Sequence, residues 1–177
     1  MENSSHIQGE KAFLAAYDEY GDAIFRFLTM KISDREIARD LTQETFTRTW
    51  DFCVEGGEIR DWKPFLYRTA YNLVVDTYRK KKSVSLDALI DDKGFAVADE
   101  AASDKQTIQG AEMTRVRKAI DELDETYRDI LLMRFIEDLP PQDIARISGL
   151  SENVVSVRIH RGVEKLRTLL GPKNTSP

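Results

Sequence analysis

The chain has 177 residues, 41% hydrophobic and 32% charged, which suffices for one ordinary domain or two of about 70 to 90 residues. Its net charge is -5, its apolar runs fall far short of the roughly 20 residues of a membrane helix, and its start, MENSSHIQGEK, lacks the basic and apolar stretches of a secretory signal, so a cytoplasmic protein without membrane insertion is expected. One cysteine, Cys53, precludes an internal disulfide, and His6 and His160 stand far apart with no cysteine nearby, so neither a metal nor a cofactor is implied.

Phe13, Tyr17, Tyr20, Ile24 and Leu28 recur at steps of three and four, the spacing of one face of an amphipathic helix. Ser33 and Asp34 offer capping oxygens for a second helix that carries Ile37, Leu41, Thr45 or Phe46, and Trp50 to Cys53, and that ends at Gly56-Gly57. Cys53 on this face fits a buried structural thiol, with a redox or metal role as the alternative. A third helix is expected from near Asp61, with Pro64 in its first turn and Phe65, Leu66, Thr69, Ala70, Leu73 and Val74 inward.

Between about Lys82 and Gln109 the periodicity fades into Ser, Asp and Ala, which predicts a flexible acidic linker. Met113, Val116, Ile120 and Leu123 then mark a further helix, and Tyr127, Ile130, Leu131, Arg134 and Phe135 the next. Pro140-Pro141 interrupts, two helices follow over Pro141 to Ser148 and Glu152 to Leu170, and Gly171-Pro172 stops the last. The expected fold is all-α: an N-terminal bundle of three to four helices over 10–82, a linker over 83–109, and a four-helix domain over 110–171.

The total charge disguises a segregated one. Residues 60–83 carry 7 basic side chains against 2 acidic, and 153–177 carry 5 against 1, so two basic zones stand apart in an otherwise acidic chain. The second zone follows PQDIARISGLSENVVSVRIH, in which Ala145, Gly149 and Val155 have the spacing of a helix-turn-helix. A small residue lets the helices approach, glycine takes the positive φ of the tight turn, and Val155 closes the core with Ile144 and Leu150. Ser151 is placed to cap the second helix. With Val155, Ile159, Val163 and Leu166 inward, Asn153, Ser156, Val157, His160 and Arg161 face outward toward a major groove, and Arg158, Lys165 and Arg167 lie where phosphates are met.

The first zone, DWKPFLYRTAYNLVVDTYRKKK, mixes Trp62, Phe65, Tyr67, Tyr71 and Tyr78 with lysines and arginines, a combination suited to single-stranded DNA. Phe65 has core spacing; Trp62 and Tyr71 fit either core or stacking roles.

The succession of DLTQETFTRTW, WKPFLYRTAYNLVVDTYRKKK, an acidic linker and LDETYRDILLMRFIEDLPPQDIARISGLSENVVSVRIHRGVEKLR resembles the extracytoplasmic-function sigma factors of the sigma-70 family, over about residues 12 to 170. The resemblance implies a non-enzymatic initiation factor whose partners are core RNA polymerase, promoter DNA and an anti-sigma protein. It implies that Asp40, Leu41, Gln43, Glu44, Phe46 and Trp50 dock on the clamp helices of the largest polymerase subunit. Asp40 and Glu44 lie one turn apart and form an acidic stripe by themselves. It implies too that the minus-10 element is opened by Trp62, Lys63, Arg68, Tyr71, Asn72, Asp76, Arg79 and Lys80, with the Asn72 amide able to read a flipped base, and that the minus-35 duplex meets Asn153, Ser156, Val157, Arg158, His160, Arg161 and Lys165. Where the family commonly has Gly-Thr-Val-Lys-Ser, this chain has Asn153 to Val157, which removes lysine and serine side chains from that surface. A dimeric operator-binding regulator would leave the N-terminal motifs unexplained, and a helical enzyme would need a catalytic set that the sequence lacks.

Overall fold

The computed structural model describes residues 2–32, 34–85, 115–116 and 118–171, with side chains over 9–32, 34–80, 115–116 and 118–171. The chain divides into two compact units, residues 1–97 and 98–177. Most of the expected linker, from residue 86 onward, lies outside the described residues, as does the start of the helix expected from Met113.

In the first unit α1 (Glu2–Ile32), α2 (Arg35–Val54) and α3 (Trp62–Ser85) pack each against the other two. Ala16, Ile24, Phe27, Leu28 and Ile32 of α1 and Leu66, Tyr67, Ala70, Leu73 and Val74 of α3 belong to the buried core, where a large apolar side chain contributes about 1.5–3 kcal/mol. Tyr17, expected inward, is half-exposed but still sets its ring against Phe46, 4.8 Å between centroids.

The start of α2 is fixed by Asp34, whose Oδ1 accepts from the backbone N–H groups of Glu36 at 3.0 Å and Ile37 at 3.1 Å, two of the donors a helix leaves unsatisfied. Its buried face is Ala38, Thr45, Phe46 and Thr49, more polar than the apolar pattern suggests. Three of the four threonine hydroxyls of α2, including both buried ones, are satisfied within the helix: Thr42 donates to Ala38 O, Thr45 to Leu41 O and Thr49 to Thr45 O, all at 2.7 Å. Such bonding removes the burial cost of the hydroxyl and leaves only its methyl group facing the neighbours.

The end of α2 is a Schellman turn. Gly56 N–H donates to Cys53 O at 3.1 Å and Gly57 N–H to Phe52 O at 2.9 Å, with Gly56 at φ +89°. The Phe52 ring folds back over Gly57 and meets Phe65 of α3 at 5.1 Å, so one aromatic pair ties the end of α2 to the start of α3.

In the second unit a helical stretch ending at residue 121 leads to α4 (Glu125–Leu131), which continues as a π-helical turn, Leu132–Ile136. Arg128 holds the preceding helix end, donating to the carbonyls of Ile120 at 3.2 Å, Leu123 at 2.9 Å and Asp121, so a cation meets the carbonyl end of that helix. The π-turn is closed by Glu137 N–H on Leu132 O at 3.1 Å and by Leu139 N–H on Met133 O at 2.9 Å. Then come α5 (Pro141–Ser148), with proline in its first turn, and α6 (Glu152–Leu170). Ile130, Met133, Leu139, Ile144 and Val155 are fully buried at the centre of this unit, and Gly162 lies so close to Leu131 that an added Cβ would stand 3.1 Å from its side chain.

Candidate polymerase and nucleic-acid interfaces

The helix-turn-helix forms as its spacing predicts. Gly149 adopts φ +71° and ψ 14° between α5 and α6, a left-handed conformation that costs a residue with a Cβ about 1–2 kcal/mol. Two residues on, Ser151 Oγ accepts from Val154 N–H at 3.3 Å and caps α6. Val155 is 0% exposed, while Ile159, Val163 and Leu166 are half-buried. Asn153, Ser156, Val157, His160 and Arg161 are exposed as expected, and Arg158 is half-buried.

The cations of this unit are not equivalent. Arg161 and Arg158 join no ion pair among the described residues, so their donors are available to an anion. Lys165 instead lies 3.6 Å from Asp124 Oδ2 and 5.1 Å from the Tyr127 ring centroid, and Arg167 pairs with Glu164 at 3.1 Å. Both pairs are exposed, of a kind worth at most about 1 kcal/mol, so a phosphate can displace either carboxylate.

On α3 the structure sorts the candidates. Arg68, Asn72, Asp76 and Arg79 share one face by helical spacing, with Tyr71 beside them; Arg68, Asn72 and Arg79 are exposed, and Arg79 holds Asp76 at 3.2 Å. The exposed Lys80, one turn after Asp76, borders that face, whereas Trp62 and Lys63 are half-buried in the first turn. Tyr67 departs from the aromatic mixture suited to DNA: it is 0% exposed and packs edge-on to Phe27 at 5.2 Å. Tyr78 donates its hydroxyl to Lys31 O at 3.1 Å, and the Lys31 ammonium, on a residue only 7% exposed, sits 5.0 Å from the Tyr71 ring centroid. Lys31 lies three residues after Leu28, on the step that continues the apolar face of α1, but its charge hides that burial from the amphipathic pattern.

Along α2, Asp40, Gln43 and Glu44 fall together on the outward face with Asp51, and Leu41 lies at its shoulder. Glu44 accepts from Arg48 Nε at 2.7 Å, an exposed pair that leaves Asp40 the freer carboxylate. Phe46, in the expected docking set and also one of the two residues expected inward at this point of α2, faces the interior. At 4% exposed it is part of the bundle interior, edge-on to Phe13 and Tyr17, because its helical position turns it toward α1. Trp50 is 37% exposed with its ring 5.0 Å from Phe13, so one side packs and the other reaches solvent. No described helix is long and apolar enough to cross a membrane.

Comparison with known proteins matches both units. The family model for sigma-70 region 2 covers residues 16–84, most of α1 with α2 and nearly all of α3, and that for sigma-70, region 4 covers residues 113–166, through α4 and α5 into α6. The ECF RNA polymerase sigma factor SigW of Bacillus subtilis (strain 168) is 29% identical over 169 residues, spanning 91% of this chain and 90% of SigW. Among solved structures, the sigma factor RpoE in complex with the anti-sigma factor NepR from Bartonella quintana aligns with a TM-score of 0.73 at 20% identity, over 90% of this chain and 97% of that one. CnrH in complex with the cytosolic domain of CnrY aligns with a TM-score of 0.65 at 22% identity, over 94% of each chain. At these identities the structural likeness establishes the fold.

Proposed function

We propose, for a chain that belongs to the extracytoplasmic-function group of the sigma-70 family, that its two units divide the work of transcription initiation as follows. The chain is a sigma factor that directs promoter recognition; the observation that carries this is the occurrence of region 2 and region 4, in that order, in one chain. Residues 10–82 engage the polymerase clamp and the minus-10 element, residues 110–171 the minus-35 element, and residues 83–109 connect them.

The outward stripe of α2, Asp40, Gln43 and Glu44 with Leu41 and Trp50 at its borders, meets a basic surface on the largest polymerase subunit, where charge complementarity sets the register. Phe46 acts from inside, by holding α2 against α1. On α3, Arg68 and Arg79 track the backbone of the separated strand while Asn72 presents donor and acceptor to a base edge. Tyr71, supported from behind by Lys31, offers its ring to stacking. On α6 the N-terminal residues approach base edges, and Arg158 and Arg161 take phosphate or guanine.

Opening requires no turnover chemistry. Trapping bases that unpair transiently shifts the melting equilibrium by differential binding to the single-stranded state, so the protein acts as a binding factor in the cytoplasm and not as an enzyme. An anti-sigma protein, the partner present in the RpoE and CnrH complexes, restrains it by covering these faces.

Run-off transcription from a promoter library, with core polymerase alone and with the purified chain, tests the reading. New selective transcripts that require the chain are expected, weakened by Asn72→Ala and by Arg161→Ala. A chain that neither binds core polymerase nor initiates with it, yet shifts duplex DNA as a dimer, would replace this reading with an operator-binding one.

A further inference from the structure

Three valines stand within four residues at the start of α6, and they divide. Val155 is 0% exposed and belongs to the core, whereas Val154 is 39% and Val157 42% exposed. Valine is a mediocre helix former because branching at Cβ restricts its rotamers, so neither helix propensity nor solubility favours it at two solvent positions in one short stretch. The sequence pattern assigned Val154 no role, yet it lies three residues before Val157, and Val157 four before Arg161. These spacings set all three on one ridge. Asn153, Ser156 and His160 flank it, all exposed.

Apolar side chains on a protein-docking surface ordinarily sit within a depleted field of charge. Here the pair is bordered by Arg158 and Arg161, neither of them ion-paired among the described residues, an arrangement that matches a polyanion. Within the major groove the apolar group that a base edge presents is the C5 methyl of thymine. The N-terminal half of a recognition helix is the part that reaches base edges. Val154 and Val157 are separated by about 4.5 Å along the helix axis, comparable with the step between neighbouring base pairs.

We propose that Val157, with Val154 one turn before it, reads thymine methyl groups in the minus-35 duplex, beside the guanine or phosphate taken by Arg161. The assignment rests on the proposed promoter-binding function and supplies the base class for a surface that lacks the lysine and serine common in the family. At Val154 and Val157, where the family commonly has threonine and serine, a hydroxyl is replaced by a contact of opposite character, specific for A·T pairs in one orientation.

The test uses polymerase holoenzyme assembled with the full-length chain. A promoter duplex is selected from a randomised library for tightest binding, then remade with each minus-35 thymine replaced singly by deoxyuridine, which removes only the methyl group. One or two positions are expected to lose about fourfold in affinity, the worth of one buried methyl group. Val157→Ser should abolish the loss at one of them and Val154→Ser at the neighbouring one. Arg161→Ala should weaken binding to thymine and deoxyuridine duplexes alike and so leave the methyl dependence in place. Thermal unfolding of both serine variants should match the parent, since both positions are solvent-facing. The proposal is overturned if no position responds to methyl removal, or if both serine variants keep the response. Failure to select any duplex would instead sink the promoter-binding function itself.

Discussion

The ring of Phe52 occupies the space that a β-carbon on Gly57 would need. Gly57 is thus held to glycine by a contact and not by its φ, unlike Gly56 beside it. Gly57→Ala must push the ring off the turn and away from Phe65, an overpacking cost of about 1–3 kcal/mol. Both tryptophans, Trp50 and Trp62, are in the first unit, so the shift is read from tryptophan fluorescence in urea. In a Phe52→Ala background the same change should cost less than about 0.5 kcal/mol, as coupling between touching residues requires. Equal costs in both backgrounds would remove the ring as the cause.

The turn of the helix-turn-helix makes a complementary case. Gly149→Ala forces a β-carbon into a left-handed conformation at about 1–2 kcal/mol, and Ser151→Ala strips the cap from Val154 N–H at about 1 kcal/mol. Far-ultraviolet circular dichroism should register both losses, while the tryptophan transition of the other unit stays in place. Movement of both transitions together would mean that the units unfold as one.

Adjacent residues on α3 should behave oppositely. Tyr67→Ala empties a fully buried position and is expected to cost the first unit about 3–5 kcal/mol. Arg68→Ala, on an exposed face, should leave the unfolding free energy within about 0.5 kcal/mol of the parent yet lower run-off transcription about tenfold, as the loss of one charge-assisted contact does. Unchanged transcription by Arg68→Ala would take that residue off the DNA face.

Burial pushes the Cys53 thiol above its ordinary value, so at pH 8 it should alkylate with iodoacetamide more slowly than a free cysteine. The folded chain holds this proton more tightly than the unfolded one. Stability therefore falls as pH climbs from the ordinary thiol value through the raised one, and is indifferent to the thiol below that interval. Unfolding midpoints of the parent and Cys53→Ala should diverge only on the alkaline side.

Features written in local chemistry were legible in the sequence. Asp34 and Ser151 cap the helices they precede, Gly149 takes the positive φ that the motif spacing demanded, and Pro141 sits in a first turn, because each depends on residues within one turn of itself. The outward set on α6 followed from the same periodicity. What stayed hidden depends on partners that periodicity does not encode. Thr45 and Phe46 are both inside, where one of the two was expected, because α1 brings Phe13 and Tyr17 to Phe46. Lys31 is buried through Tyr71 and Tyr78, some 40 to 47 residues away. The π-turn at Leu132–Ile136 arises from hydrogen bonds five and six residues apart, a choice that a 3.6-residue pattern cannot signal. Tyr67 was grouped with the aromatics suited to DNA because a ring that suits a base also suits a core.

The threonines of α2 carry a mechanical consequence. Thr42, Thr45 and Thr49 each direct a hydroxyl hydrogen bond into their own helix. At these positions the hydroxyls make no bond to α1 or α3, so the contact there rests on the fit of methyl groups, beside the ring contacts of Phe46 with Phe13 and Tyr17 and of Phe52 with Phe65. A short axial slide of α2 would break no cross-helix bond there; it meets a smooth, shape-dependent resistance, the condition under which packed helices undergo shear. A load applied to the acidic outer face of α2 is therefore passed to α1 and α3 through sliding contact, more as through a greased bearing than a riveted joint.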